Sequence, residues 1–255
     1  MKKIIAVLLV LISLLSLMSC SDRKTLTVKV VGKEGTMKLY ESELPAPGTL
    51  NLAANDITIY RVLIVDGELW LSSEYKETKQ YLMSMNNGYF SGIDLGEFGG
   101  HCKYYQYNID TEGTLVTAEN CHGMFEKSPL DFDNGYIISG IWNMKTTGAS
   151  KIHRVYRVGV NWEWEVIAQF ESVPRSYLYD HENGELYVVT WRQLLKISLE
   201  DGTVKVLSEH KAIYDDGANS MVKLENKLFI GMFNGLMEYD LETDEAIWYS
   251  PKIYG

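Results

Sequence analysis

Cysteine, histidine and proline are all scarce: three, five and five residues in a chain of 255. Three thiols are too few for a disulfide scaffold, so the core has to come from packing. Positive charge is short as well, with 24 Lys and Arg against 34 Asp and Glu, a formal −10. A phosphate backbone is bound by clustered Lys and Arg, so nucleic acid is excluded as a partner. After residue 18 no apolar run is long enough to span a bilayer. The G-x-S-x-G signature of nucleophilic hydrolases is absent. Asp131-Phe132-Asp133-Asn134-Gly135 opens like a calcium loop, but no acidic residue completes the twelve-residue pattern, and it reads as a turn. The 46% apolar and 23% charged residues that make up the chain exclude disorder, collagen and coiled coil.

The leader carries the clearest signal. Lys2 and Lys3 precede an apolar run from Ile4 to Met18, broken only by Ser13 and Ser16. Fifteen helical residues rise about 22 Å, short of a hydrocarbon core of about 30 Å, which marks an export signal rather than a permanent span. Its end, Leu17-Met18-Ser19-Cys20, resembles the lipobox of bacterial lipoproteins. That resemblance implies cleavage after residue 19 and acylation of Cys20, with two or three acyl chains holding the domain to a membrane. Residues 1–19 are then a signal peptide, 20–24 a lipidated cysteine with a short tether, and 25–255 the domain. Without Lys2 and Lys3 the formal charge falls to −12. The implied location is the cell envelope. Ser21 after the cysteine points to the outer membrane in a Gram-negative cell, and in a Gram-positive one the anchor lies on the outer face of the plasma membrane.

From Thr25 onward the apolar residues recur with period two and no amphipathic helical segment stands out, which predicts an all-β body. Asp66-Gly67, Asn134-Gly135, Asn183-Gly184 and Asp201-Gly202 mark turns. Four segments superimpose: Glu68–Glu74, Tyr136–Trp142, Glu185–Trp191 and Lys227–Phe233. Further strands follow each of the last three. The first is read as resuming at Tyr104–Ile109 and Thr114–Thr117 after an insertion, Tyr75–Gly100. With that insertion removed the spacing is in the low forties, the length of a propeller blade. Four copies plus strands at Leu26–Val31 and Met37–Tyr40 predict a β-propeller of about five blades, with a β-sandwich as the alternative. The fourth copy, Asn219 to Asp240, resembles the repeat of sensor-type and other exported bacterial β-propellers.

Two constellations could carry function. Cys102 and Cys121 flank the hairpin Tyr104–Thr117 and read as a disulfide, worth about 3 kcal/mol in the chain-entropy model. Free thiols, or a metal held together with His101 and His122, are the competing readings. The second constellation is a column at the end of the second strand of three copies: Trp142-Asn143, Trp191-Arg192 and Phe233-Asn234, with Glu74-Tyr75 at the same place in the first. Ring symmetry would gather these aromatics on one face beside amide and guanidinium groups, a lining suited to ligand binding. Packing between blades is the competing reading. His153, His181 and His210 are scattered and read as surface or packed residues. No cofactor or metal is called for. The expectation is a lipid-anchored, non-catalytic module binding a protein, peptide or glycan. A propeller hydrolase of lactonase or glycosidase type and a protective or inhibitory lipoprotein are the alternatives.

Overall fold

The computed structural model of the protein describes residues 24–42, 59–73, 80–108, 111–143, 146–209 and 217–251, without the side chains of 142, 143, 146 and 147. The leader, Cys20, Glu74, Tyr75 and His210 therefore lie outside the described residues. Among the described residues twenty strands form five four-stranded units. Blade 1 comprises β1 (Thr25–Val30), β2 (Thr36–Glu41), β3 (Arg61–Val65) and β4 (Glu68–Ser72). Blade 2 comprises β5 (Gln80–Met85), β6 (Gly88–Asp94), β7 (Gly100–Gln106) and β8 (Thr114–Thr117). Blade 3 contains β9 (Asn120–Glu126), β10 (Asn134–Asn143), β11 (Thr146–Val158) and β12 (Asn161–Glu171). Blade 4 contains β13 (Pro174–Asp180), β14 (Glu185–Thr190), β15 (Gln193–Ser198) and β16 (Val204–Glu209). Blade 5 contains β17 (Ser220–Leu224), β18 (Lys227–Met232), β19 (Gly235–Asp240) and β20 (Ala246–Ser250).

Blades 2 to 5 are simple antiparallel meanders. Blade 1 is assembled from two hairpins, with β1 joining β4 in parallel through Lys29↔Trp70 and Val30↔Leu71. The first strands of the hairpin sets pack side by side, β3 against β17, then β13, β9 and β5 in turn, and form the inner wall of the array. The fold is an all-β propeller of five blades, as the repeats predict. At the rim β2 also pairs with β20, through Tyr40↔Ser250 and Glu41↔Tyr249.

Two assignments from the sequence are corrected. Tyr75–Gly100 is not an insertion. It holds β5 and β6, the inner half of a complete blade whose outer half is β7 and β8. The copy at Glu68 takes its outer strands from the N-terminal hairpin instead. The second correction concerns Asn134-Gly135, which lies inside β10; the turn comes before it, closed by Asp131, whose Oδ1 accepts from Asp133 N at 3.1 Å. Asp66-Gly67 is the tight turn expected, both residues with positive φ (53° and 76°).

Alternation sends one side of each strand into the junction with a neighbouring blade. Four buried clusters fill four junctions. One, built on Val62, Leu71, Phe229 and Leu236, joins blades 1 and 5. Others, on Val189 with Ile230 and on Ile138 with Val188, join blades 4 and 5 and blades 3 and 4. The fourth, on Phe90, Cys102, Cys121 and Ile137, joins blades 2 and 3. Each such aliphatic side chain, removed from water, contributes about 1.5–3 kcal/mol. Among the described residues no buried cluster joins blade 2 to blade 1. On that side blade 2 carries Leu82, 68% exposed, Leu115, 51%, and Tyr107, 48%, beside the stacked pair Tyr89 and Tyr105.

Candidate functional site: one face of the propeller

The second strands β10, β14 and β18 end on the same face on which the inner strands β9, β13 and β17 begin. The predicted column lies along this edge. Trp142 and Asn143 close β10, but their side chains are outside the described residues. Trp191 and Arg192 follow β14 in a turn organised by Thr190, whose Oγ1 accepts from Arg192 N (3.2 Å) and Gln193 N (3.1 Å). That hydroxyl leaves the indole free to project, and Trp191 is half-buried while Arg192 is exposed.

The indole has a partner the sequence did not suggest. The guanidinium carbon of Arg175 lies 3.5 Å from the Trp191 ring centroid, a cation–π stack. Arg175 is the extra residue of a bulge in β13, where Pro174 pairs with Thr190 and Ser176 with Val189. A bulge re-aims one side chain out of the ladder. Arg175 and Trp191 come from different strands, and no local spacing records their meeting.

Phe233 has a different role. It forms an isolated bridge with Ile59 just ahead of β3, and its ring fills the space above Gly217, where an added Cβ would come within 2.3 Å. Phe233 is half-buried and closes the junction of blades 5 and 1 at its mouth. Asn234 occupies the left-handed region at φ 55°, a conformation asparagine tolerates in a tight turn, and its carbonyl accepts from Ser250 Oγ at 3.3 Å. Two of the three pairs are thus placed on one face. One of them presents an aromatic with cationic neighbours, and the other has its ring over Gly217 of its own blade.

A buried polar network adjoins this face in blade 3. Ser139 Oγ lies 2.6 Å from Glu119 Oε2 and 2.9 Å from His153 Nε2, and Lys151 Nζ donates to Glu119 Oε1 at 2.5 Å. Burial raises the Glu119 carboxyl, but hydrogen bonds from Lys151 and Ser139 outweigh it and hold the group below the usual carboxylate range. Burial lowers His153, with the Glu119 charge opposing. Glu119 is therefore ionised and His153 neutral at pH 7. The Ser139 proton goes to the carboxylate, which makes His153 Nε2 the donor to Ser139 Oγ. A serine nucleophile needs the reverse, a basic nitrogen accepting its proton. Ser139 is also fully buried. The trio is a structural relay.

Two other sequence residues meet beside it. His122 is the extra residue of a bulge in β9; its Nδ1 lies 3.3 Å from Asp94 Oδ2 of blade 2, and its Nε2 is buried without a hydrogen-bond partner. The carboxamide of Asn120 accepts from Leu95 N (3.1 Å) and donates to Gly96 O (2.6 Å), fixing the single 3-10 turn Gly96–Phe98 over the junction. Among the described residues no three His, Cys, Asp or Glu side chains come together as a metal site. Cys102 and Cys121 are both buried and both thiols in this structure, not bridged. They flank the β7–β8 hairpin as expected, Cys102 opposite Thr117 in β7 of blade 2 and Cys121 just beyond β8, in β9 of blade 3.

No family model matches the chain, and no curated protein does. Solved structures do. The extracellular domain assigned to a one-component system, BT4673 of B. thetaiotaomicron, is 14% identical over 89% of this chain at a TM-score of 0.42. The extracellular domain described as the hybrid two-component system BT4673 is 13% identical over 89%, at 0.40. The β-propeller domain of Myceliophteria thermophila Cps50 (Swd1) is 7% identical over 90%, at 0.39. The chain spans 33% of the length of each of the first two and 64% of the third.

Proposed function

We propose that the protein is an exported, lipid-anchored propeller that binds a protein, peptide or glycan partner without catalysis, through the face on which Trp191 lies. The observation that carries this is the Arg175–Trp191 stack. A bulge spends one residue of the inner strand to aim a guanidinium at a half-exposed indole. Indole and guanidinium together supply a flat apolar surface with hydrogen-bond donors at its margin, the composition of binding hot spots. The Ser139 relay supports the non-catalytic half of the reading, because its proton is committed to Glu119. Export and anchoring rest on the leader and on Leu17-Met18-Ser19-Cys20.

Two measurements test the two halves. Glycan arrays and peptide libraries probed with the domain 21–255 should yield a ligand. Trp191→Ala should weaken its binding by about 1 kcal/mol or more, the scale of an aromatic anchor, with the melting temperature nearly unchanged. Binding indifferent to Trp191→Ala and to Arg175→Ala would remove this face from consideration. For the anchor, Cys20→Ser should abolish incorporation of a fatty-acid analogue in labelled cells, because the acyl acceptor is gone. Equal labelling of variant and wild type would refute lipidation.

A further inference from the structure

The cysteines occupy a particular place in the array. Among the described residues blade 2 is joined to the propeller by one buried cluster, the one it shares with blade 3, and Cys102 and Cys121 are in it, one from each blade. Gly92 is directly opposite Cys102 in the β6–β7 register, and a Cβ built on Gly92 would lie 2.3 Å from Cys121 Sγ. Opposed residues in an antiparallel pair have Cα atoms about 4.5–5.5 Å apart. The Cys121 sulfur therefore sits over the spot that Gly92 leaves empty, within reach of the Cys102 side chain.

We infer that Cys102 and Cys121 become joined by a disulfide that staples blade 2 to blade 3 across the buried cluster the two blades share. The inference rests on the reading that the chain is exported, since disulfides persist outside the reducing cytosol. In the reaction a thiolate from one cysteine attacks an incoming disulfide, that of an envelope oxidoreductase or a small-molecule disulfide, and expels one of its thiols. The second cysteine then attacks the mixed disulfide and expels the other. Two S–H bonds are lost and one S–S bond forms, and the two electrons and two protons leave on the reduced oxidant. The hydrogen bond from Cys121 and then burial push the Cys102 thiol far up, so docked Cys102 holds almost no thiolate. Oxidation belongs to the moment before blade 2 closes on blade 3. Once closed, the reduced form resists both oxidants and alkylating reagents, and its reaction rate reports opening of this junction.

The test uses the full chain with its leader, labelled with a fatty-acid analogue and denatured in N-ethylmaleimide. Mass spectrometry of non-reduced peptides should find the Cys102 and Cys121 peptides linked. Two alkylated cysteines in the lipid-labelled protein would overturn the inference. If the chain carries no label, the export reading has failed and the bridge is decided by refolding the domain in a glutathione redox buffer. A linked peptide pair there sustains the juxtaposition, and two free thiols overturn it. The staple has its own readout. Against the oxidised protein, Cys102→Ala/Cys121→Ala should exchange the amide hydrogens of β5 to β8 at least tenfold faster, with blades 4 and 5 unchanged. Equal exchange in blade 2 would show that the bond holds nothing.

Discussion

Ser139 has one proton to donate and two partners that could take it, and the charge on Glu119 decides the matter. That choice also sets how stability responds to acid. His153 titrates lower in the fold than in the unfolded chain, so as pH falls below about 6.5 the unfolded state takes up a proton that the folded state refuses, and stability declines. Glu119 and Asp180 act lower on the scale. Their carboxyls are held down in the fold by Lys151 with Ser139, and by Lys223 with Asn183, in each case against the opposing effect of burial. Their contribution is complete above the unfolded carboxylate range, near 4, and is lost as pH falls through the depressed folded values. A melting curve followed from pH 7.5 to 3 should therefore fall in two stages. His153→Gln should flatten the first stage, between about pH 7 and 5, and leave the second. An unchanged first stage would place that loss on another group.

Among the elements, the hairpin of β1 and β2 does more than its length suggests. It supplies the outer half of blade 1 and an edge partner for blade 5. Deleting residues 25–42 removes the buried side chains Val28, Val30 and Leu39 and uncovers the edges of β4 and β20. At about 1.5–3 kcal/mol for each large aliphatic, the loss approaches the whole stability of an ordinary domain. The shortened domain should show no cooperative thermal transition; a sharp one near the wild-type midpoint would mean that blades 2 to 5 stand alone. The same hairpin explains what the sequence revealed and what it hid. Period-two alternation and turn glycines are local, so the all-β class, most of the strands and a count of about five blades could be read from them. The membership of blade 1 is non-local, because β1 meets β4 across β2 and β3. The repeat at Glu68 therefore borrowed its outer strands from the wrong side, and β5 and β6 were passed over as an insertion. The strand-end position of Trp191 was legible as a repeat, whereas its contact with Arg175 was not, since a bulge leaves no periodic mark. Phe233 holds the same position in its repeat, with its ring over Gly217 of its own blade.

For the whole molecule, the four buried junctions form a chain that runs from blade 1 through blades 5, 4 and 3 to blade 2. Among the described residues blades 3, 4 and 5 are covered on both sides, while blades 1 and 2 are each covered on one. Opening free energies follow buried contact, so hydrogen exchange should be slowest in β14 and β18 and fastest in blade 2. Uniform protection across all five blades would indicate that blade 2 is covered on its second side as well. The rim pairing of β2 with β20 has a consequence in time. A chain delivered from its N-terminus brings out β2 early and β20 nearly last, so between those moments β2 has a bare edge able to recruit any passing strand. Lys38 on that strand is a gatekeeper of the kind that discourages wrong pairing. The arrival of β20 thus ends the interval in which this edge of the nascent protein is most exposed to aggregation.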